Sequence, residues 1–248
     1  MHRFMRRNLL KTILGLGFLV AGMGMGFSAA GQDITWKAVL IAGDNVQNVF
    51  NTAVHDMADR LQEDYGIEPA HIQILSAMAA DENAQATGPA IIDAFKRLSI
   101  NQNDGCFVFV TSHGDVNGLV LRNARRYLTP KNLNGIINKF CPEQPAVLVL
   151  SGCHSGTFLT SGDLAAPNRI ILTATRVDRV SFGCSNEETY TFYDGCLLDS
   201  LQPGMVWQEI AQKIQECVSE KEQKLKAEPS LPQTYIGEQV KDMVVFKH

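Results

Sequence analysis

The sequence has little with which to hold a metal. Six cysteines and six histidines are present, yet no Cys-x-x-Cys and no His-x-x-x-His spacing occurs among them. Those spacings are what structural zinc sites ask of a sequence, so neither a metal nor another cofactor is expected. Charge is also scarce, at 19 % of residues against 45 % hydrophobic, which is globular composition with no sign of disorder or collagen-like repetition. No internal repeat and no second domain stand out.

Between Thr12 and Ala30 there is no charge at all. This stretch follows a basic start (Arg3, Arg6, Arg7, Lys11), contains the apolar run Ile13 to Val20, and leads to the small residues Ser28-Ala29-Ala30. That is the three-part layout of a secretory signal. Residues 1–30 therefore read as a signal peptide and residues 31–248 as one domain, exported to a periplasm or secreted. Arg6-Arg7 resembles a twin-arginine signal. The alternative is an uncleaved anchor, since a spanning helix needs roughly 17–25 residues, but five glycines in the stretch favour cleavage. After cleavage no stable membrane partner is expected.

Basic residues are the minority of the mature chain. Removing Arg3, Arg6, Arg7 and Lys11 leaves 22 − 4 = 18 Lys and Arg against 26 Asp and Glu, a formal net of −8. Such a surface repels phosphate backbones, so nucleic acid is not an expected partner.

What is there is an alternation of strand and helix patterns. Trp36 to Ala42 is an apolar run, and Val46, Val49, Phe50, Ala53, Val54, Met57 and Leu61 recur at helical spacing. His71 to Leu75 reads as a short strand and Pro89 to Leu98 as a helix. Cys106 to Thr111, Ala146 to Leu150 and Arg169 to Ala174 are continuous apolar runs of the kind buried on both faces of a parallel sheet. Thr129-Pro130 opens another helix, with threonine as cap and proline first in the helix. Trp207, Ile210, Ile214, Cys217 and Val218 mark a late amphipathic helix that Pro229 and Pro232 stop. The alternation predicts an α/β fold with right-handed crossovers, a mostly parallel sheet and helices on both faces. The long polar stretch Arg176 to Asp194 is expected to be a functional loop.

Two strand ends carry chemistry. FVFVTSHGD places His113 just past one strand, and VLVLSGCHSG places Cys153 just past the next. Ligands of open parallel sheets bind at the carboxyl ends of strands. One helical crossover separates the two strands, so they are expected to be neighbours about 4.8 Å apart. A thiolate attacks a carbonyl where a thiol does not, and an imidazole can take that proton and return it to a leaving amine. Backbone N–H groups would hold the oxyanion, and Gly114 and Cys153 can supply them. His154 is the rival base, but adjacent side chains on an extended segment point to opposite sides, which makes it a neighbour. His55 and His71 are assigned to packing or solvation.

The paired motifs SHG and SGCHSG resemble the legumain (asparaginyl endopeptidase) family of cysteine peptidases, bacterial-type, within the group that includes caspases and gingipains. The likeness covers most of the mature chain. VLIAGDNV is similar to the family's first strand and turn, and ATRVDRVSFGC followed by TYTFYDG to its specificity-pocket strand and loop. The resemblance implies a three-layer caspase-like fold with a six-stranded sheet, a His113–Cys153 dyad working through a thioester, Gly114 in the oxyanion hole, and Ser181 and Asp194 at the substrate pocket. Two departures matter. Ser151 stands where eukaryotic members carry an acidic residue, and no Lys or Arg lies between Asp44 and His55, where Asn51 is the nearest polar match and thus a third substrate-binding candidate. An acidic pocket residue without a cationic partner points to cleavage after Arg or Lys, unless Arg176 or Arg179 enters the pocket or Asp194 caps a helix near Gly195.

The expected partner is a peptide or protein substrate. A transamidase or another thiol acyl-transfer enzyme is the second reading, and a catalytically silent binding module of the same fold is the third. Gly152-Cys153-His154-Ser155-Gly156 puts cysteine second, unlike the Gly-x-nucleophile-x-Gly elbow of α/β-hydrolases. No arginine closes the loop after Cys153, unlike a thiol phosphatase. If Cys153 stays a thiol, at least one of the other five cysteines is unpaired, and Cys184 with Cys196 is the candidate bridge because together they flank the polar loop.

Overall fold

The structure, a computed structural model, describes residues 34–161, 163–185 and 187–247, so the expected signal segment lies outside the described residues. Nine strands and six α-helices follow in the order β1 (Thr35–Ala42), α1 (Val49–Glu63), β2 (Ile72–Ser76), α2 (Gly88–Leu98), β3 (Asp104–Thr111), β4 (Gly114–Asp115), β5 (Gly118–Leu121), β6 (Arg126–Leu128), α3 (Pro130–Phe140), β7 (Ala146–Ser151), α4 (Thr157–Thr160), β8 (Arg169–Thr173), α5 (Phe192–Ser200), α6 (Trp207–Leu225) and β9 (Gln233–Ile236), among the described residues.

The main sheet has six strands in the order β2-β1-β3-β7-β8-β9. Five are parallel and β9 runs antiparallel to β8. Four of the five parallel strands, β1, β3, β7 and β8, are the apolar runs of the sequence, and β2 is the short strand read at His71 to Leu75. The sixth begins right after Pro232, where the sequence suggests only an end. Its four residues, QTYI, are all half-buried. An edge strand of that kind needs no apolar run, so no pattern marks it.

The alternation along each strand feeds two cores. Leu40, Phe107, Phe109, Val147 and Val149 pack toward α1, α5 and α6. Val39, Ile41, Val108, Leu148 and Leu150 pack toward α2 and α3. Each such buried side chain contributes about 1.5–3 kcal/mol. The helix starts obey local rules. Thr129 accepts a hydrogen bond from the Asn132 N–H with Pro130 in the first turn, and Thr87 accepts from Ala90 ahead of α2. The charged run after Val218 continues α6 as far as Leu225 rather than leaving it.

Two disulfides form. Cys106 in β3 joins Cys141 at the end of α3, and Cys196 in α5 joins Cys217 in α6. The expected Cys184–Cys196 bridge is therefore incorrect. Cys196 is fully buried on the face of α5 that packs on α6, where Cys217 meets it. Cys184 and Cys153 remain free thiols.

Candidate active site

The two chemical residues are brought level by strand register. Thr111 of β3 pairs with Ser151 of β7, and the Ser112 N–H donates to the Ser151 carbonyl at 3.1 Å. His113 and Cys153 thus lie two residues beyond the same rung. Past that rung the small sheet takes over. The Val120 N–H donates to the His113 carbonyl at 2.8 Å, and the Ser112 hydroxyl donates to the Val120 carbonyl at 2.8 Å. The imidazole meets the edge of the buried Phe50 ring at 5.2 Å between centroids, and its Nε2 lies 3.0 Å from Gln47 Oε1.

Both residues wall one narrow cavity of about 10 Å³, together with Ser181, Phe182, Cys184 and Thr191. Larger cavities exist elsewhere, of about 460 and 410 Å³, but their walls hold no cysteine or histidine. The small one brings a cysteine and a histidine together. The Ser181 N–H donates to Cys153 Sγ at 3.3 Å, and the thiol points back to the Ser181 carbonyl at 3.8 Å. Burial pushes the Cys153 thiol above its usual range, against the Ser181 backbone hydrogen bond that pulls it down. No hydrogen bond joins His113 to Cys153 among the described residues. At rest each has its own holder, Gln47 for the imidazole and Ser181 for the sulfur.

Two glycines are demanded by contact. A Cβ on Gly114 would lie 2.5 Å from the Cys153 carbonyl oxygen, and one on Gly152 would lie 2.5 Å from the Ser112 carbonyl oxygen. Only glycine lets the two strand ends approach this closely.

His154 turns away. It adopts φ +57°, its N–H donates to the Arg179 carbonyl at 2.9 Å, and its Nδ1 lies 2.9 Å from the Val177 carbonyl oxygen. His55 is exposed on α1, and His71 ends a short 3₁₀ turn.

The three pocket candidates fare differently. Ser181 stands on the cavity wall. Asn51 does not: its Oδ1 accepts from the Ser76 hydroxyl at 2.7 Å, tying α1 to the end of β2. Asp194 is completely buried behind the wall, where its Oδ2 accepts from the Thr111 hydroxyl at 2.6 Å. Burial pushes its carboxyl up to about 6 despite the neighbouring Ser151, Thr111 and Thr191 hydroxyls that pull it down. The cap of α5 is Thr191, whose hydroxyl accepts from the Asp194 N–H, so Asp194 is the third helical residue and not the cap. Arg176 pairs with Asp178 and Arg179 with Glu228, so neither guanidinium enters the cavity.

Gln47, Phe50, Phe182, Cys184 and Thr191 complete the site. No local pattern marks Gln47, which is one polar residue in a loop. Its role appears only once the loop after β1 folds over the end of β3.

The sequence matches the peptidase C13 family over residues 89–228, a span that holds both His113 and Cys153. No curated protein matches it. Caspase-1 from Spodoptera frugiperda has a similar structure, with a TM-score of 0.61 at 12 % identity over 87 % of this chain and 91 % of that one. At that identity the likeness establishes the three-layer caspase-like fold.

Proposed function

The chain belongs to the peptidase C13 family, the legumain family of cysteine peptidases, and on that premise we propose that it cuts peptide bonds with Cys153 as nucleophile and His113 as general base and acid. The observation that carries this reading is the shared rung, which puts a thiol and an imidazole on one cavity wall at the carboxyl ends of adjacent parallel strands.

The raised thiol defines the first step. Cys153 rests protonated, so His113 takes the proton as Sγ bonds to the carbonyl carbon. The carbonyl oxygen becomes an oxyanion, which on this reading the amides of Gly114 and Cys153 receive. His113 then gives the proton to the leaving nitrogen, the C–N bond breaks, and a thioester remains on Sγ. Water, deprotonated by His113, attacks the thioester. The second peptide fragment leaves as a carboxylic acid, and the proton returns to the thiol. One water is consumed per bond cut.

Ser181, Phe182 and Thr191 line the recess for the acyl side of the substrate. Asp194 acts from behind this wall, and Asn51 braces α1. An exported location fits the two disulfides, which form and persist in oxidising compartments.

The test is labelling with a peptidyl acyloxymethyl ketone, together with turnover of a peptide library by wild type, Cys153→Ala and His113→Ala. Each variant should fold, and each should lose on the order of 10³-fold or more in kcat. Turnover retained by either one, or absence of an adduct on Cys153 in reduced wild type, would overturn the dyad.

A further inference from the structure

His113 is also the wall of a second cavity. This one is about 320 Å³ and is lined by Asp44, Val120, Arg122, Arg125, Arg126 and Tyr127 besides His113. Cys153 and Ser181 do not reach it. Its charges are unbalanced. Asp44, fully buried, neutralises only Arg122, through a two-pronged pair of 3.0 and 2.7 Å. Tyr127 is engaged with Asp115. The side chains of Arg125 and Arg126 have no hydrogen-bond or ion-pair partner among the described residues. Arg125 closes a turn, where its N–H donates to the Arg122 carbonyl at 3.0 Å and it holds φ +50°, a left-handed conformation in which arginine is uncommon, and Arg126 opens β6. Two uncompensated guanidinium groups thus face a cavity in a domain whose formal net charge is −8 over residues 31–248.

The reaction fixes which part of a substrate passes here. The acyl half stays bonded to Cys153, in the first cavity. The leaving amine takes its proton from His113, so the chain that follows the cut bond runs past the imidazole, on the side away from the sulfur. That side is the arginine cavity. A guanidinium matches a carboxylate with two parallel hydrogen bonds, as Arg122 already does with Asp44.

We propose that Arg125 and Arg126 form a subsite for an aspartate or glutamate on the leaving-group side of the cut bond, one or two residues after it. The proposal rests on the peptidase reading above. It makes the enzyme selective for acidic sequence following the scissile bond, a preference set by the small β4–β6 sheet and independent of the acyl-side recess.

The experiment uses quenched fluorescent peptides that differ only in Glu, Gln or Lys at the first and second positions after the cut. Wild type, Arg125→Ala/Arg126→Ala and Arg125→Glu/Arg126→Glu are compared by the ratio of kcat/KM between peptides. Labelling of Cys153 by a ketone that carries only the acyl side reports that each variant is folded. Wild type should favour Glu over Gln by up to about fivefold, the size of a solvent-exposed ion pair. The alanine variant should bring that ratio close to one, and the glutamate variant should favour Lys. A wild-type ratio of one, or a ratio unchanged in the variants, with Cys153 still labelled, overturns the subsite and leaves the peptidase reading standing. Neither cleavage nor labelling by wild type overturns the peptidase reading, and the subsite with it.

Discussion

The two cavities that meet at His113 are built from different materials. The Cys153 side is narrow, and backbone fixes its closest approaches. Its dimensions are set by the approach of Gly114 to the Cys153 carbonyl and by the Ser181 peptide that grips the sulfur. The arginine side is wide, and its character comes from the ends of long side chains on a small antiparallel sheet. A wall made of backbone moves only if strands move, and β3 and β7 are buried throughout. A wall of exposed side chains can change by single substitutions at little cost to the fold. Chemistry that must hold to fractions of an ångström sits on the first kind of wall. Selectivity is proposed for the second.

If that contrast is right, the smallest change on the narrow side should do the most harm. Gly114→Ala puts a methyl 2.5 Å from the Cys153 carbonyl oxygen and must push that backbone aside. We expect kcat to fall on the order of 100-fold through a displaced oxyanion site, with the fold retained. Stopped assays on the purified variant beside its melting curve decide this; near wild-type kcat would mean that the close approach has no catalytic consequence.

Gln47 holds the shared wall through one side-chain hydrogen bond, so its loss should cost less. Gln47→Ala should lower kcat about tenfold through loss of imidazole orientation, while KM and the melting temperature stay put. A change in KM alone would place Gln47 in substrate binding instead.

Behind the narrow wall, Asp194 gives a signature in stability. Its carboxyl is raised from 3.8 to about 6 by burial, so its contribution is fully favourable below about pH 4 and is lost as pH rises through about 6. Above that, the buried carboxylate costs up to about 3 kcal/mol relative to a neutral group. Asp194→Asn keeps an oxygen to accept from Thr111. It should therefore be more stable than wild type at pH 7.5 and no more stable at pH 4. Urea unfolding at the two pH values measures the gap, and a gap that does not vary with pH would remove the carboxylate from the account.

The mildest probe leaves stability untouched. Iodoacetamide on the native, unreduced protein should modify Cys153 and Cys184 alone, because the other four cysteines are paired. Peptide mapping that finds Cys196 alkylated would break the α5–α6 bridge.

The sequence by itself determined most of the main sheet and the two residues at its rim. Parallel strands buried on both faces must be unbroken apolar runs, so β1, β3, β7 and β8 announce themselves, and the placement of His113 and Cys153 just past two strand ends follows from where each run stops. Thr129-Pro130 marks its helix for an equally local reason. Tertiary structure decided what depends on partners far along the chain. The Cys196–Cys217 bridge requires α5 to lie on α6, which no spacing predicts. The resemblance puts Asp194 at the substrate pocket, yet the packing of α5 beneath the ends of β3 and β7 buries it. Gln47 and the arginine cavity arise only when the loop after β1 and the β4–β6 sheet close on either side of His113. Periodicity and caps act over a few residues, so they are written locally. The identity of a distant neighbour is set by how whole layers pack, and a single sequence carries no local mark of it.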